Sequence, residues 1–565
     1  MTQYTTVTND FLNTNRNIYE VNYLANGANG DIVSTGNPLP VSLGGENVII
    51  TGNVSIPGSI EVSNDIGNPL PTQIIHEGNL VSANNRFPVT MSATSSSAFG
   101  EQLSVEPTCV VQLDALYGLD GEQADQFQTY TALGGAATTE DNMFKVSSSA
   151  TQYSYGVLRS KRFLRYRPGQ GAVGRFVARF DTPTANTSQR AGLFNQEDAL
   201  MVGYNGETFG LLHSYGAKTH IQQIQITAGP SGSSNATITL NSTAYEVPLV
   251  SGEDVYQTAS RIAQFTFTGW IAEQKDDRVI FLSESVGAKN GTYSFSHASA
   301  TATLTTRQSG NAATDVWYPQ NQWNGEGAAI TWYPDKFNVY QIQYRWLGAG
   351  IIRFCAEHPD TGDLIVLHTI HWANRYTTLT MGNPSMKIGF VAYNLGGGAT
   401  TVYGGSMMLA IEGQTIKNDY PRSKNGDHTG LARDIVHHIF SVQNPITRAG
   451  KINTKEIVLQ DMTVSTQGSD PVEVFLFLNP TLSTGDYDFR TIPDALAIVD
   501  TTNSKTFDIA NNTAIITYTV GINGTQQFDL TDYRIILSPG DRLSIGVRSG
   551  QSISRVISSL TWVAD

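Results

Sequence analysis

Five aromatic residues, Trp317, Tyr318, Trp323, Trp332 and Tyr333, fall within 17 positions otherwise rich in Asn, Gln and Gly. Rings flanked by amides can stack on the apolar face of a sugar, and they are also what a buried sandwich edge contains, the reading we favour. A second group is basic. Arg159, Lys161, Arg162, Arg165, Arg167, Arg175 and Arg179 place seven of the 35 basic residues within 21 positions. Such a run suits an anionic partner, for instance an acidic glycan. It also suits pairing with carboxylates of this chain or of another subunit, because guanidinium forks make bidentate contacts well matched to interfaces. We favour the second reading.

Catalytic chemistry finds little support. No G-x-S-x-G, H-E-x-x-H, P-loop or dinucleotide fingerprint is present. His437 and His438 are adjacent, so a strand sends them to opposite faces; His368 and His371, three apart, also diverge on a strand. His358 has Glu357 and Asp360 close by, at a predicted hairpin turn. Glu273, Glu284, Glu357 and Asp363 could supply a glycosidase pair only if folding set two of them across a groove. Asp360, Asp363 and the Asp276-Asp277 pair offer oxygen ligands for calcium without any EF-hand-like spacing. Cys109 and Cys355 match no metal or redox spacing and read as two buried thiols. The expectation is a non-enzyme with no catalytic residues, no metal and no cofactor.

Composition says what must position these groups. At about 150 residues per domain, 565 residues suggest three or four domains. Only 15% of residues are charged while 40% are hydrophobic, and the balance is Gly, Ser, Thr and Asn, the residues of turns and short strands. A net charge of −14 opposes nucleic-acid binding, which needs a basic face. No run approaches the roughly 18 apolar residues of a membrane span. Met1–Gly30 lacks the apolar centre of a cleaved leader.

Along the chain the expected fold is all-β. Residues 1–95 form a repeat or attachment segment: GNPLPVSL at Gly36–Leu43 recurs as GNPLPTQI at Gly67–Ile74, a 31-residue interval. Between the copies Val48, Ile50, Val54, Ile56, Ile60 and Val62 keep the two-residue period of strands. Units this short bury their apolar faces only by stacking on one another or on other chains. Ser92–Ser97 reads as a linker. Residues 99–412 read as a lectin-like antiparallel sandwich. Within it, 219–265 reads as an inserted ββα unit, with Ser251 capping a helix striped by Val255, Ala259, Ile262 and Ala263. Residues 414–435 read as a second linker and 437–565 as a jelly-roll-like sandwich.

Several strings carry a resemblance. YGVLRSKRFLRYRPGQGAVGRF (Tyr155–Phe176), TSQRAGLF (Thr187–Phe194), VGYNGETFG (Val202–Gly210), VYQIQYRWLGAGIIRF (Val339–Phe354), FSVQNPITRAGKINTKEI (Phe440–Ile457) and the closing SLTWVAD are similar to large virion structural proteins. These occur in tailed phages of aquatic bacteria, notably cyanophages, with relatives in large algal viruses. The N-terminal repeats resemble phage fibre or baseplate attachment segments. The resemblance implies a virion component assembled in the host cytoplasm, a homotrimer, with no catalytic residues to carry over. The leading expectation is a tail or baseplate fibre or spike joined to other virion proteins through residues 1–95. A head decoration or vertex protein is the alternative, and a host-attachment adhesin for a surface glycan a third reading. Neither nucleic acid nor membrane insertion is expected.

Overall fold

The computed structural model describes residues 107–120, 125–413, 420–551 and 553–565, together with six short strands between residues 39 and 80. Those six form three local hairpins: Leu39–Leu43 with Glu46–Ile50, Val54–Ile56 with Ile60–Val62, and Ile75–His76 with Asn79–Leu80. The alternating Val and Ile residues therefore do lie on strands. The second repeat copy, 67–74, and the expected linker 92–97 lie outside the described residues. The hairpins belong to one compact unit, Met1–Met91, and the rest of the chain to another, Ser92–Asp565.

The second unit is almost entirely antiparallel β, with one α-helix among the described residues. No helix there is long and apolar enough to cross a membrane. Its first sandwich has two sheets. One runs Leu364–Ile370, Ile352–Glu357, Asn338–Tyr344, Ala172–Phe180, Thr400–Ile411, Met143–Ser148, Ala136–Glu140, with Thr108–Asp114 also pairing to Thr400–Ile411. The other runs Thr314–Pro319, Thr208–Tyr215, Ala199–Asn205, Thr187–Phe194, Lys387–Asn394, Tyr155–Ser160, Phe127–Ala132. Alternation decides which side chains face inward. In Tyr155–Ser160, Gly156, Leu158 and Ser160 are buried, which turns Tyr155, Val157 and Arg159 outward. Phe176, Ile342 and Leu409 from the first sheet meet Leu158, Leu193 and Phe390 from the second in one core. The sheets touch so closely at Gly404 that a Cβ there would lie 2.1 Å from the Phe390 ring.

The insertion is larger than sequence suggests. The chain leaves the sandwich at Lys218 and returns at Asn311, where the two residues form a β-bridge. Between them lies a four-stranded sheet, Trp270–Lys275, Arg278–Val286, Thr219–Ala228, Thr301–Gln308, beside a three-stranded one, Thr243–Leu249, Ser234–Leu240, Ser294–Ser296. A unit ending at residue 265 would strip both partners from Thr219–Ala228, which is why the element continues to Gln308. The helix, Val255–Gln264, packs Ala259 and Ile262 against Ile224, Ile238 and Phe281. Its cap is Asp254, not Ser251. Asp254 Oδ1 accepts from the backbone N–H of Tyr256 and Gln257 at 2.9 and 2.8 Å, and Gln257 returns a bond to the Asp254 N–H. Ser251 instead serves the preceding turn through Ser231 and Ser233.

In the segment read as a linker, Arg422–Leu431 is a strand, zipped to Ile553–Ala564. It is polar because it is a sheet edge; residues 414–419 are not described. The last sandwich alternates between its sheets. Arg422–Leu431, Ile457–Gln467, Thr525–Asp529 and Ile553–Ala564 build one, while Val436–Gln443, Val472–Leu478, Ala514–Val520 and Arg542–Ser549 form the body of the other. That back-and-forth path is a jelly-roll-like arrangement around Phe440, Val474, Ile545 and Trp562.

Candidate functional site

The basic segment faces the C-terminal sandwich of its own chain. Lys161 Nζ lies 3.0 Å from Asp541 Oδ1. Arg162 spans Glu456 with NH2 to Oε2 at 3.0 Å and Nε to both carboxylate oxygens at 3.3 Å, while NH1 donates to Val110 O at 3.0 Å. Arg165 NH1 donates to Asp565 Oδ1 at 3.0 Å, and Arg167 donates to the same oxygen. These four residues form an ionic seam between two sandwiches. The other three of the run are used inside the first sandwich. Arg159 donates to Gln128 and Tyr130, Arg175 to Gln341, and the Arg179 guanidinium sits 4.0 Å from the centre of the Tyr403 ring. Four of the seven thus pair with carboxylates of this same chain and three with neutral groups.

Behind the seam is a residue that sequence reasoning missed. Lys387 is buried, its Nζ 2.7 Å from Gln128 Oε1 and 4.3 Å from the centre of the Phe163 ring. Burial, reinforced by Arg159, pulls its ammonium well below the usual lysine range, against the opposite pull of Glu456 and Asp541. The available signal was a lone cation in the otherwise apolar strand MKIGFVAYNL. Asp198 was missed too. Burial raises its carboxyl to about 6, although the N–H groups of Gly382 and Asn383 donate to it at 3.0 and 2.7 Å.

The insertion also docks on the C-terminal sandwich. Asp276 accepts from the Thr491 N–H at 2.8 Å and from its hydroxyl at 2.7 Å, and Gln274 bonds Asp488 and the Phe489 N–H. Glu273, a glycosidase candidate in sequence, is buried in this contact. Its Oε1 accepts from the Ile446 N–H at 2.8 Å and Gln443 Nε2 at 3.1 Å, and Oε2 has no partner. Burial pushes the carboxyl up to about 7 from an ordinary 4.5. The folded protein therefore keeps a proton that the unfolded chain releases. Stability from this group is full below pH 4.5 and falls as pH rises to 7, by about 3 kcal/mol in all. Glu273→Gln, neutral at every pH, should flatten this slope in thermal unfolding midpoints taken from pH 4.5 to 8. Equal slopes in parent and variant would assign the titration to another group.

The aromatic group does not assemble into a stacking platform. Trp323 and Trp332 are core residues, 6% and 7% exposed, with their indole N–H groups donating to Tyr318 O at 3.0 Å and Gly327 O at 2.9 Å. An indole can be buried once its one donor is satisfied, so these two side chains follow the buried-edge alternative and are not placed to stack on a sugar. Trp317 and Tyr318 share a strand and face opposite ways: Trp317 toward Phe194, Met201 and Leu212, Tyr318 toward His368 at 4.5 Å between ring centres. Tyr333 alone of the five is largely exposed, at 63%.

The remaining candidates are dispersed. His368 and His438 are buried, and burial lowers each to about 4; His371 is exposed. His438 bonds Thr502 O and the Ser441 hydroxyl, whereas His437 turns the other way and accepts from the Ala432 N–H. His358 accepts from the Asp360 N–H, closing the predicted turn. Glu284, Glu357, Asp360 and Asp363 are exposed. No three His, Cys, Asp or Glu among the described residues are grouped to hold a metal. Cys355 is buried, its thiol pushed up to about 12 by burial. Cys109, expected to be buried, is exposed at the start of the short strand that pairs with the end of Thr400–Ile411.

No family model and no curated protein matches the chain. Among solved structures it is similar to the cellulose-induced protein Cip1, at 10% identity and TM-score 0.23, over 53% of this chain and 96% of that one. A lectin from Bauhinia forficata in complex with GalNAc matches at 10% identity and TM-score 0.19, over 53% and 97%. The major capsid protein P2 of bacteriophage PM2 matches at 10% identity and TM-score 0.13, over 67% and 98%.

Proposed function

We propose that this chain is a structural component of a virion, a trimeric fibre or spike of the tail or baseplate that joins its particle through residues 1–95. The observation that carries the reading is the use made of the basic run. Four of its seven cations bind the first sandwich to the last, and the insertion braces the same sandwich from another side. Such cross-bracing gives a stiff body suited to bearing load. The low-charge β composition and the resemblance of the strings Tyr155–Phe176 and Phe440–Ile457 support the same reading.

Deletion of Met1–Ser95 tests the anchoring. The remaining chain should stay folded, with the cooperative thermal unfolding midpoint of the full chain retained, and should be absent from purified particles. Its normal incorporation would place the anchor elsewhere. Light scattering of the full chain after gel filtration should give a mass of three chains; a monomer would remove the trimer from the proposal.

A further inference from the structure

An open cleft of about 420 Å³ lies where the inserted sheet meets the C-terminal sandwich. Its floor is apolar, made of Ile221 and Ile280 on strands Thr219–Ala228 and Arg278–Val286, packed with Ile446 and Ile452 of the facing domain. One wall is the tight turn at Ala449 and Gly450, both at positive φ (50° and 73°), which joins Thr447–Arg448 to Lys451–Ile452. Three cations line the cleft from three strands: Lys275, Arg278 and Arg307.

These cations are poorly neutralised. Arg307 spends Nε and NH2 on a neutral acceptor, Gln223 Oε1, at 2.9 and 2.7 Å. Arg278 Nε makes no hydrogen bond, with Asp277 Oδ1 3.5 Å away. No ion pair to Lys275 occurs among the described residues. Of the neighbouring acids, Asp276 is engaged by Thr491 and Glu273 by Ile446 and Gln443, while Asp277, bonded by Gln225 through Oδ2, pairs with Arg278 alone through Oδ1. In a chain of net charge −14, this is a cleft lined by cations drawn from 33 positions of sequence. A cleft with cationic walls focuses its field on an incoming anion.

Size and lining narrow the ligand. The volume falls within the roughly 300–1,000 Å³ of small-molecule sites, so an anionic group and a ring fit together. Ile221 and Ile280 are closed off beneath Ile446 and Ile452, at 0% and 6% exposed, so a ring is met at the rim, where the turn backbone at Ala449 and Gly450 can exchange hydrogen bonds with its hydroxyls. We propose that this cleft binds an acidic monosaccharide unit, its carboxylate or sulfate ester held by Lys275, Arg278 and Arg307. The site is distinct from the run at 159–179, whose charges are consumed by the seam and the first sandwich.

Isothermal titration of the full chain with glucuronate, galactose 6-sulfate, glucose and sodium sulfate at fixed ionic strength tests this. At least one acidic sugar should bind, and which one does separates carboxylate from sulfate ester; glucose should give no heat. Lys275→Gln and Arg307→Gln should each weaken that binding by about tenfold or more, the worth of one charge-assisted hydrogen bond, with unfolding midpoints unchanged. Sodium sulfate binding as tightly as the acidic sugars would mean that the ring is not recognised and would overturn the sugar assignment. Absence of heat for all four compounds, or full binding by both variants, would overturn the site.

Discussion

Arg162→Met should free the C-terminal sandwich to melt apart from the first one. The substitution keeps the length of the stem and removes three donors: two to Glu456 and one to Val110 O. It strands the Glu456 carboxylate, whose side chain is 9% exposed, in a contact from which water is largely excluded. One-sided removal of a buried pair costs about 3–5 kcal/mol. Because 38% of the Arg162 side chain faces water, the lower part of that scale applies, roughly 2–4 kcal/mol. Scanning calorimetry should then show the parent's melting of the two sandwiches resolve into two transitions. Adding Glu456→Gln should restore most of the loss, since the double variant leaves no unpaired charge. A single unchanged transition in Arg162→Met would mean that the sandwiches are held by other contacts.

Asp500→Asn should be the most damaging single polar change in the C-terminal sandwich. Asp500 is fully buried and pairs with Lys505, which is 3% exposed. Its carboxylate also accepts from the Asp488 N–H at 2.8 Å and from the N–H and hydroxyl of Thr502 at 2.9 and 2.5 Å. Burial pulls the Lys505 ammonium down while Asp500 holds it up. With the carboxylate gone, a cation stays in the interior near His438, itself buried and low in basicity. We expect a loss of roughly 3–5 kcal/mol by urea denaturation. Asp500→Asn with Lys505→Met should recover part of it. A loss below about 1 kcal/mol, the size of an exposed pair, would show that water reaches the site.

Strand content was legible in the sequence because its signal is local. The alternation in Val339–Tyr344 and the Pro359–Gly362 turn give the hairpin Ile352–Glu357 with Leu364–Ile370 directly. The insertion's end was not legible, because Arg278–Val286 and Thr301–Gln308 have the same period as sandwich strands and only pairing separates them. The seam shows the same limit. Arginines at 162, 165 and 167 are visible as a cluster, but their acids lie at 456 and 565, a separation that no spacing rule encodes. Cleft residues Gln223, Lys275, Arg278 and Arg307 look unremarkable singly and meet only through register. Trp323 and Trp332 show the converse, since an amide-rich neighbourhood resembles a binding surface until backbone carbonyls take the indole N–H groups.

If this braced β body is built into a particle, as proposed, its C-terminal sandwich must be found there. Gold-labelled antibody raised against residues 437–565, applied to intact particles purified from lysates in which the chain is made, would locate it. Label is expected at the tail or baseplate, in clusters consistent with threefold copies. Label over the head would support the vertex alternative and contradict the tail assignment. Particles free of label, with the protein left in the soluble lysate, would contradict the account as a whole.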